Sequence, residues 1–419
     1  MPQAASSAPS LTVVTTPIDD PGPLSFMLDS QRPLLWRRRG FGIAGHGEAI
    51  RLEFSGASRM TDAAAAWQDL AGRATVHDPL ALPGTGLVAF GSFAFAASSS
   101  CTSVLIVPEV VIGRAEGRFW LTRIGIDGAL PPEGLPTVSP HGPAVRAALE
   151  AGTLDPDGYR QAVAEGVAGI RRGELSKVVL ARDLIGSVPP GSDLRPVIGA
   201  LADGYPDCWT FAIDGFIGSS PETLVGVHSG TATARVLAGS AARGTDATSD
   251  LDAATELATS TKDQDEHEFA VQSVLASLRP HSSGVIASEV PFTLKLPNLW
   301  HLASDVEGTL DDGSTSLDLI QALHPTAAVA GTPTADAVAT IARLEPFDRG
   351  RYAGPVGWVG ADGDGEWAIA LRSAQIDPDG TVTAWAGAGI VADSDPEREL
   401  LETRMKFRPI VEAFDTLAE

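Results

Sequence analysis

The stretch from Tyr352 to Lys406 restricts the fold more than any other, because period-two hydrophobic alternation there gives way to a capped helix. Apolar residues alternate at Val356/Trp358, Trp367/Ile369/Leu371 and Val382/Ala384. They predict three strands, separated by turns at Asp362-Gly-Asp-Gly365 and Asp377-Pro-Asp-Gly380. Asp395 is the expected N-cap of the helix that follows, with Pro396 at its first position. Leu400, Met405, Ile410 and Phe414 are expected along its apolar face. Glu399, Glu402 and Lys406 stand three and four residues apart and so share one face. Neighbouring carboxylates are unfavourable unless something cationic lies between them, a place open to Lys406 or to a divalent ion.

The rest of the chain shows no division. Its 419 residues would allow two or three domains by length, yet no long Gly/Ser/Pro linker interrupts it after residue 30. A single large domain over 31–419 is therefore expected, with ample core material at 44% hydrophobic residues. Residues 1–30 are expected to form a disordered tail, and Met1–Ser10 has neither the basic nor the apolar region of a signal peptide. No apolar run reaches the roughly 18 residues of a membrane span. The chain carries 30 basic and 53 acidic residues, a net charge of 30 − 53 = −23. That balance argues against nucleic acid and anionic membranes as partners. An anionic substrate would need a local metal ion or a few fixed Arg and Lys side chains. Cys101 and Cys208 are too few and too far apart for a disulfide framework or a metal knuckle, which points to a reducing, cytoplasmic setting.

From Pro33 to about Leu121 short strands and turns predict an antiparallel scaffold, with one helix near Met60–Ala71. Asp127–Ala144, rich in Pro and Gly, reads as a surface connection. A helix is expected from Asp155-Pro156 to Gly173, followed by a strand over Ser176–Arg182. Lys177 is then either a solvated lysine on a half-exposed strand or, in a desolvated site, a base. A hairpin is expected over 210–225 with a kink at Ser220-Pro221, and Glu222, immediately after it, reads from the pattern alone as a turn carboxylate. Val236–Ser240 is expected to close a strand on a small-residue turn whose N–H groups could meet an anion. A long helix is expected over Thr261–Leu278, with Phe269, Val274 and Leu278 toward the core. Asp263 and Glu266 near its start repeat the paired carboxylates of the C-terminal helix. Each pair alone is ordinary helix chemistry, whereas four carboxylates converging from two helices would suit Mg²⁺.

Seven segments in order carry a resemblance: Ser176-Lys-Val-Val-Leu-Ala-Arg182, Gly218-Ser-Ser-Pro-Glu222, Lys262-Asp-Gln-Asp-Glu-His267, Leu323-His-Pro-Thr326, Arg349-Gly-Arg-Tyr-Ala-Gly354, Ala386-Gly-Ala-Gly-Ile390 and Glu399-Leu-Leu-Glu-Thr-Arg-Met-Lys406. Together, over residues 155–414, they resemble the chorismate-utilising enzymes. That family includes isochorismate and salicylate synthases and the synthase subunits for anthranilate and aminodeoxychorismate. The resemblance implies an α+β fold, one large domain of extended antiparallel sheets flanked by helices, with chorismate as substrate and a buried Mg²⁺.

Position by position, the resemblance makes Glu266 and Glu402 the metal ligands, with Asp263 and Glu399 beside them, Asp263 acting through water. Tyr352 and Arg372 match the pair that binds a substrate carboxylate, with Lys406 and the backbone of Gly387, Ala388 and Gly389 alongside. Gly239 and Ser240 match another substrate-contacting turn, and His301 a histidine near the ring. Ammonia-using members generally lack a lysine at the Lys177 position. Its presence implies water as nucleophile, activated by Lys177, with Glu222 protonating the departing hydroxyl. Ala328 stands where salicylate-forming relatives tend to have a hydroxylated residue, which favours isochorismate synthase over salicylate synthase. The product would feed menaquinone or catechol siderophores, no amidotransferase subunit is expected, and the sequence leaves the oligomeric state open, a monomer being slightly favoured. A non-catalytic binder of the same fold is the reading from another class. The intact set Lys177, Glu222, Glu266 and Glu402 speaks against it.

Overall fold

The β-branched and aromatic runs pair into two large sheets, antiparallel except where Leu11–Pro17 lies parallel to Thr75–His77. The computed structural model describes residues 10–137, 139–143, 145–295 and 299–415. Among these, one sheet has thirteen strands and the other ten. Near one end of the first sheet lie Lys177–Ser187, Thr381–Ile390, Ser373–Ile376, Phe216–Ser220 and Trp209–Ile213 in that order, and the N-terminal strands extend the other end. The second sheet runs from Ser282–Ala287 and Leu299–Leu310 through Thr231–Ala242, Thr223–His228 and Gly365–Ile369 to Pro355–Gly360 and then to N-terminal strands. The expected α+β architecture of antiparallel sheets flanked by helices is thus what forms.

Among the described residues there are eight α-helices: α1 Arg59–Gly72, α2 Pro156–Arg171, α3 Arg195–Gly204, α4 Ala247–Thr259, α5 Thr261–Leu278, α6 Ser316–Leu323, α7 Thr334–Leu344 and α8 Pro396–Asp415. Their starts follow capping chemistry. Asp155 accepts the Gly158 N–H at 2.7 Å, Ser260 the Asp263 N–H at 3.3 Å, and Asp395 those of Glu397 and Arg398 at 3.1 and 3.0 Å. None of these helices is long and apolar enough to cross a membrane.

The two sheets meet through aromatic side chains. Trp36 of the first sheet and Trp358 of the second both donate indole N–H bonds to Glu366, at 3.2 and 3.3 Å. Trp36 also stacks on Trp209 at 4.6 Å between centroids.

Several expectations are corrected. The tail expected over 1–30 is not one: Leu11–Pro17 is a strand paired with Arg118–Ile126, and Leu11 and Val13 are buried. The alternation Leu-Thr-Val-Val-Thr-Thr is strand chemistry, masked by the polar composition just before it. Residues 1–9 lie outside the described residues. The turn expected at Val236–Ser240 is a bulge: the strand continues to Ala242, and its register shifts between Ala238 and Ser240. Gly239 has φ +78°, which glycine alone adopts without cost. The kink at Ser220-Pro221 is a change of sheet, since the chain leaves the first sheet at Ser220 and enters the second at Thr223. Phe269 and Met405, placed on core faces, are 56% and 38% exposed. Val271 and Leu275 on α5, and Phe407 on α8, take those faces instead. α4 and Ser373–Ile376 went unpredicted. α4 is rich in Thr, Ser and Ala and lacks a strong apolar stripe.

Candidate active site

At the end of the first sheet, Lys177 begins its strand and reaches across to α5, where its Nζ donates to Glu266 Oε1 at 2.8 Å. The opposing strand makes room. A Cβ at Gly389 would stand 3.1 Å from Lys177 Cε, so the small residue there lets the lysine lie flat across the sheet. Gly387 has a similar reason to be small, since a Cβ would come within 2.9 Å of the Leu180 carbonyl. From α8, Lys406 Nζ donates to the Gly387 carbonyl at 2.9 Å and pairs with Glu402 Oε1 at 2.6 Å. Ala388, between the two glycines, is buried in the same strand opposite Leu180.

Glu222 occupies the passage between the sheets. Its N–H donates to Ser220 Oγ at 3.2 Å, and its carbonyl accepts the Ile369 N–H at 3.0 Å. Burial pushes its carboxyl up to about 7, against the charges of Lys177, Lys406 and Arg372. A carboxylic acid still protonated near neutral pH is suited to giving up a proton. It adjoins a cavity of about 240 Å³ that is also walled by Val236, Val274, Leu323, Thr326 and Ala328.

Arg372 is held at φ +50°, a region that residues other than glycine and asparagine rarely adopt. Burial lowers its guanidinium from the ordinary value, partly offset by Tyr352, Cys208, Glu402 and Glu222. No hydrogen bond or ion pair from this guanidinium occurs among the described residues. Tyr352, buried and stacked on Trp385 at 6.1 Å, has its phenol pushed up to about 12 by burial. His301 pairs in register with Ser240, and burial, then Arg372 and Lys406, lower its imidazole to about 4, so it is neutral. Asp263 packs against the missing side chain of Gly239, its Cβ 3.3 Å from where a Cβ would be. The Ser240 side chain lies outside the described residues.

The carboxylates of α5 and α8 are distinguished by their surroundings. Burial raises Glu399, and Glu402 adds to the rise. At Glu402 burial works upward too, but Lys406 and Arg372 hold it below its ordinary value. The four groups Asp263, Glu266, Glu399 and Glu402 are hard oxygen donors, which fits Mg²⁺ in kind. Among the described residues no three acidic, His or Cys groups stand close enough to grip one ion. Glu266 and Glu402 are instead neutralised by Lys177 and Lys406. His267, next to Glu266, is a fastener: it bonds the Ala238 carbonyl at 3.1 Å and Ser304 Oγ at 2.8 Å, seating α5 on two strands. Trp385 behind Tyr352 was missed. A bulky aromatic heading the small-residue run Ala386–Gly389 was the available signal.

A family model described as chorismate binding enzyme matches residues 3–126 and 137–415, and the chain belongs to this family. Within it, the chain is 40% identical to isochorismate synthase DhbC of Bacillus subtilis, over 62% of this chain and 68% of that one. It is 35% identical to isochorismate synthase MenF of the same organism, over 64% of this chain and 58% of the relative. The crystal structure of MenF, the menaquinone-specific isochorismate synthase of Escherichia coli, superposes with a TM-score of 0.80 at 26% identity, covering 96% of this chain and 95% of that one.

Proposed function

We propose that this chain is an isochorismate synthase, which isomerises chorismate to isochorismate by adding water at C2 and losing the C4 hydroxyl. The observation that carries this reading is that the charges of Lys177, Lys406 and Arg372 all act on the buried Glu222 carboxyl, while Arg372 has no hydrogen-bond or ion-pair partner among the described residues. Lys177, in its neutral form, takes a proton from the attacking water, whose oxygen bonds to C2. The ring double bonds shift, the C4–O bond breaks, and Glu222 supplies the proton with which that hydroxyl leaves as water. One water enters and one leaves, and the enolpyruvyl group stays attached. Arg372 receives a substrate carboxylate in a charge-assisted pair, with the Tyr352 hydroxyl beside it. Neutral His301 can meet the ring edge as a donor or acceptor without adding charge. Lys406 adds a fixed positive charge, and this local cluster offsets the repulsion of a dianion by a chain of charge −23. Glu266 and Glu402, with Asp263 and Glu399 adjacent, would hold Mg²⁺, which when bound supplies positive charge for the ring carboxylate.

Purified protein with chorismate and Mg²⁺ is expected to yield isochorismate without stoichiometric pyruvate when products are resolved by chromatography. Salicylate with equimolar pyruvate would assign the chain to the eliminating branch. Lys177→Ala is expected to lose about 10²–10⁴-fold in kcat, the range of a positioned base. Near-normal turnover would remove Lys177 from the mechanism.

A further inference from the structure

The Lys177–Ser187 strand is paired along one edge by Thr381–Ile390 over its whole described register from Val178 to Ser187. The other edge is only partly covered. Gly331–Thr332 pairs with Lys177 and Val178, and the Ala330 carbonyl accepts the Val179 N–H at 2.8 Å. The next strand on that edge, Glu150–Ala151, pairs only with Leu184 and Ile185. Between them the strand turns the Val179 carbonyl and the Ala181 N–H toward this edge, both residues buried, and an unmade backbone bond there would be costly.

Two side chains stand where the missing strand would be. The Ala181 N–H donates to Glu345 Oε1 at 2.7 Å, and Arg349 Nη2 donates to the Val179 carbonyl at 2.8 Å. They are themselves joined twice, Nε to Oε2 at 2.8 Å and Nη2 to Oε1 at 2.6 Å. The free arm of Arg349, Nη1, donates to the carbonyl of Val329 at 3.0 Å, one residue beyond Ala328. The Arg349 carbonyl accepts the Tyr352 N–H at 3.0 Å, and its guanidinium lies 5.9 Å from the Tyr352 ring centroid. A single buried ion pair therefore touches the strand of the base, the loop of Ala328 and the turn of the substrate-facing tyrosine.

We propose that Glu345 and Arg349 are positioning residues, a surrogate strand that sets the distance between Lys177 and the Ala328 loop. The proposal rests on the reading of Lys177 and Ala328 given above. A pair present only for stability could be exchanged for apolar groups of similar volume. Here the planar fork of arginine is required, because it serves a carboxylate and two carbonyls at fixed angles, which the single ammonium of lysine cannot do. Misplacement by about 1 Å of a group in such a site costs on the order of 100-fold in rate.

The test uses Arg349→Lys and Glu345→Gln in the full chain with chorismate and Mg²⁺, following isochorismate, pyruvate and thermal unfolding together. Arg349→Lys is expected to fold, lose about 10–100-fold in kcat with KM changed far less, and release pyruvate that the wild type does not. Glu345→Gln keeps the Ala181 and Nη2 bonds and loses one, so it should fall between Arg349→Lys and the wild type in both readouts. Variants that are less stable but match the wild type in kcat per folded molecule, without pyruvate, overturn the proposal. Should Arg349→Lys not fold, Glu345→Gln decides alone by the same two readouts. A wild type that forms no isochorismate sinks the functional reading and this proposal with it. A wild type that turns over beside variants that equal it sinks the proposal only.

Discussion

Arg349 and Arg372 both act electrostatically on Tyr352, one buried and the other partly so, and the protein treats them in opposite ways. Arg349 makes four hydrogen bonds: Glu345 takes two, two carbonyls take the others, and its side chain is 3% exposed against 2% for its partner. Burial works against its charge, but Glu345 outweighs it and holds the guanidinium above its ordinary value. Arg372 has no such partner among the described residues, sits on a strained backbone, and burial prevails, lowering it. Desolvation alone therefore does not mark a functional cation. Open hydrogen-bonding capacity is the better mark, and on the proposed function a ligand carboxylate is the group that completes the site at Arg372.

The contrast can be broken most forcefully at Arg349. Arg349→Ala leaves Glu345 buried and uncompensated and is expected to cost roughly 3–5 kcal/mol, read as a lowered midpoint in denaturant unfolding. Arg372→Ala, by the same reasoning, should leave the midpoint within about 1 kcal/mol while kcat/KM falls about 10²–10³-fold, since the loss falls on the substrate. A large stability loss at Arg372 would show that its partner is the protein after all.

A smaller effect is expected from pH. With Glu222 pushed up to about 7, kcat/KM should fall about tenfold per pH unit above that point, and Glu222→Gln should abolish the limb along with most of the rate. The sign carries over to stability. A carboxyl raised on folding favours the folded state below the unfolded value of about 4.3, and that contribution is lost as pH rises through about 7. The smallest effect belongs to a solvated counterpart. Arg235 grips Asp305 with the same fork, at 2.6 and 2.9 Å, but at 37% and 53% exposure. Arg235→Ala should change thermal stability by no more than about 1 kcal/mol.

Local pattern carried the eight-residue-scale features well and long-range pairing poorly. The caps at Asp155 and Asp395 and the strand of Lys177 could be read directly, since each depends on residues within one turn or one alternation. The candidate site residues came from motifs in order, and the structure brings Lys177 to Glu266, Lys406 to Glu402 and Asp263 to Gly239. What could not be read was which charge meets which. Nothing local says that Glu345 belongs to the Ala181 N–H, or that Lys177 faces Glu266 from 89 positions away. Phe269 and Met405 misled because their hydrophobicity matched a helical period, while the tertiary contacts favoured the neighbouring stripe.

The passage of the chain from one sheet to the other at Pro221-Glu222 has a mechanical consequence. On the proposed roles, the acid Glu222 belongs to neither sheet alone, since its backbone is tied to Ile369 of the second, while the base Lys177 is anchored in the first. Their separation is therefore a reading of how the two halves are seated on each other. Turnover acts as a gauge for that seating, so a loosened seam at Trp36 and Glu366 would register as a slower reaction before any helix or strand had melted.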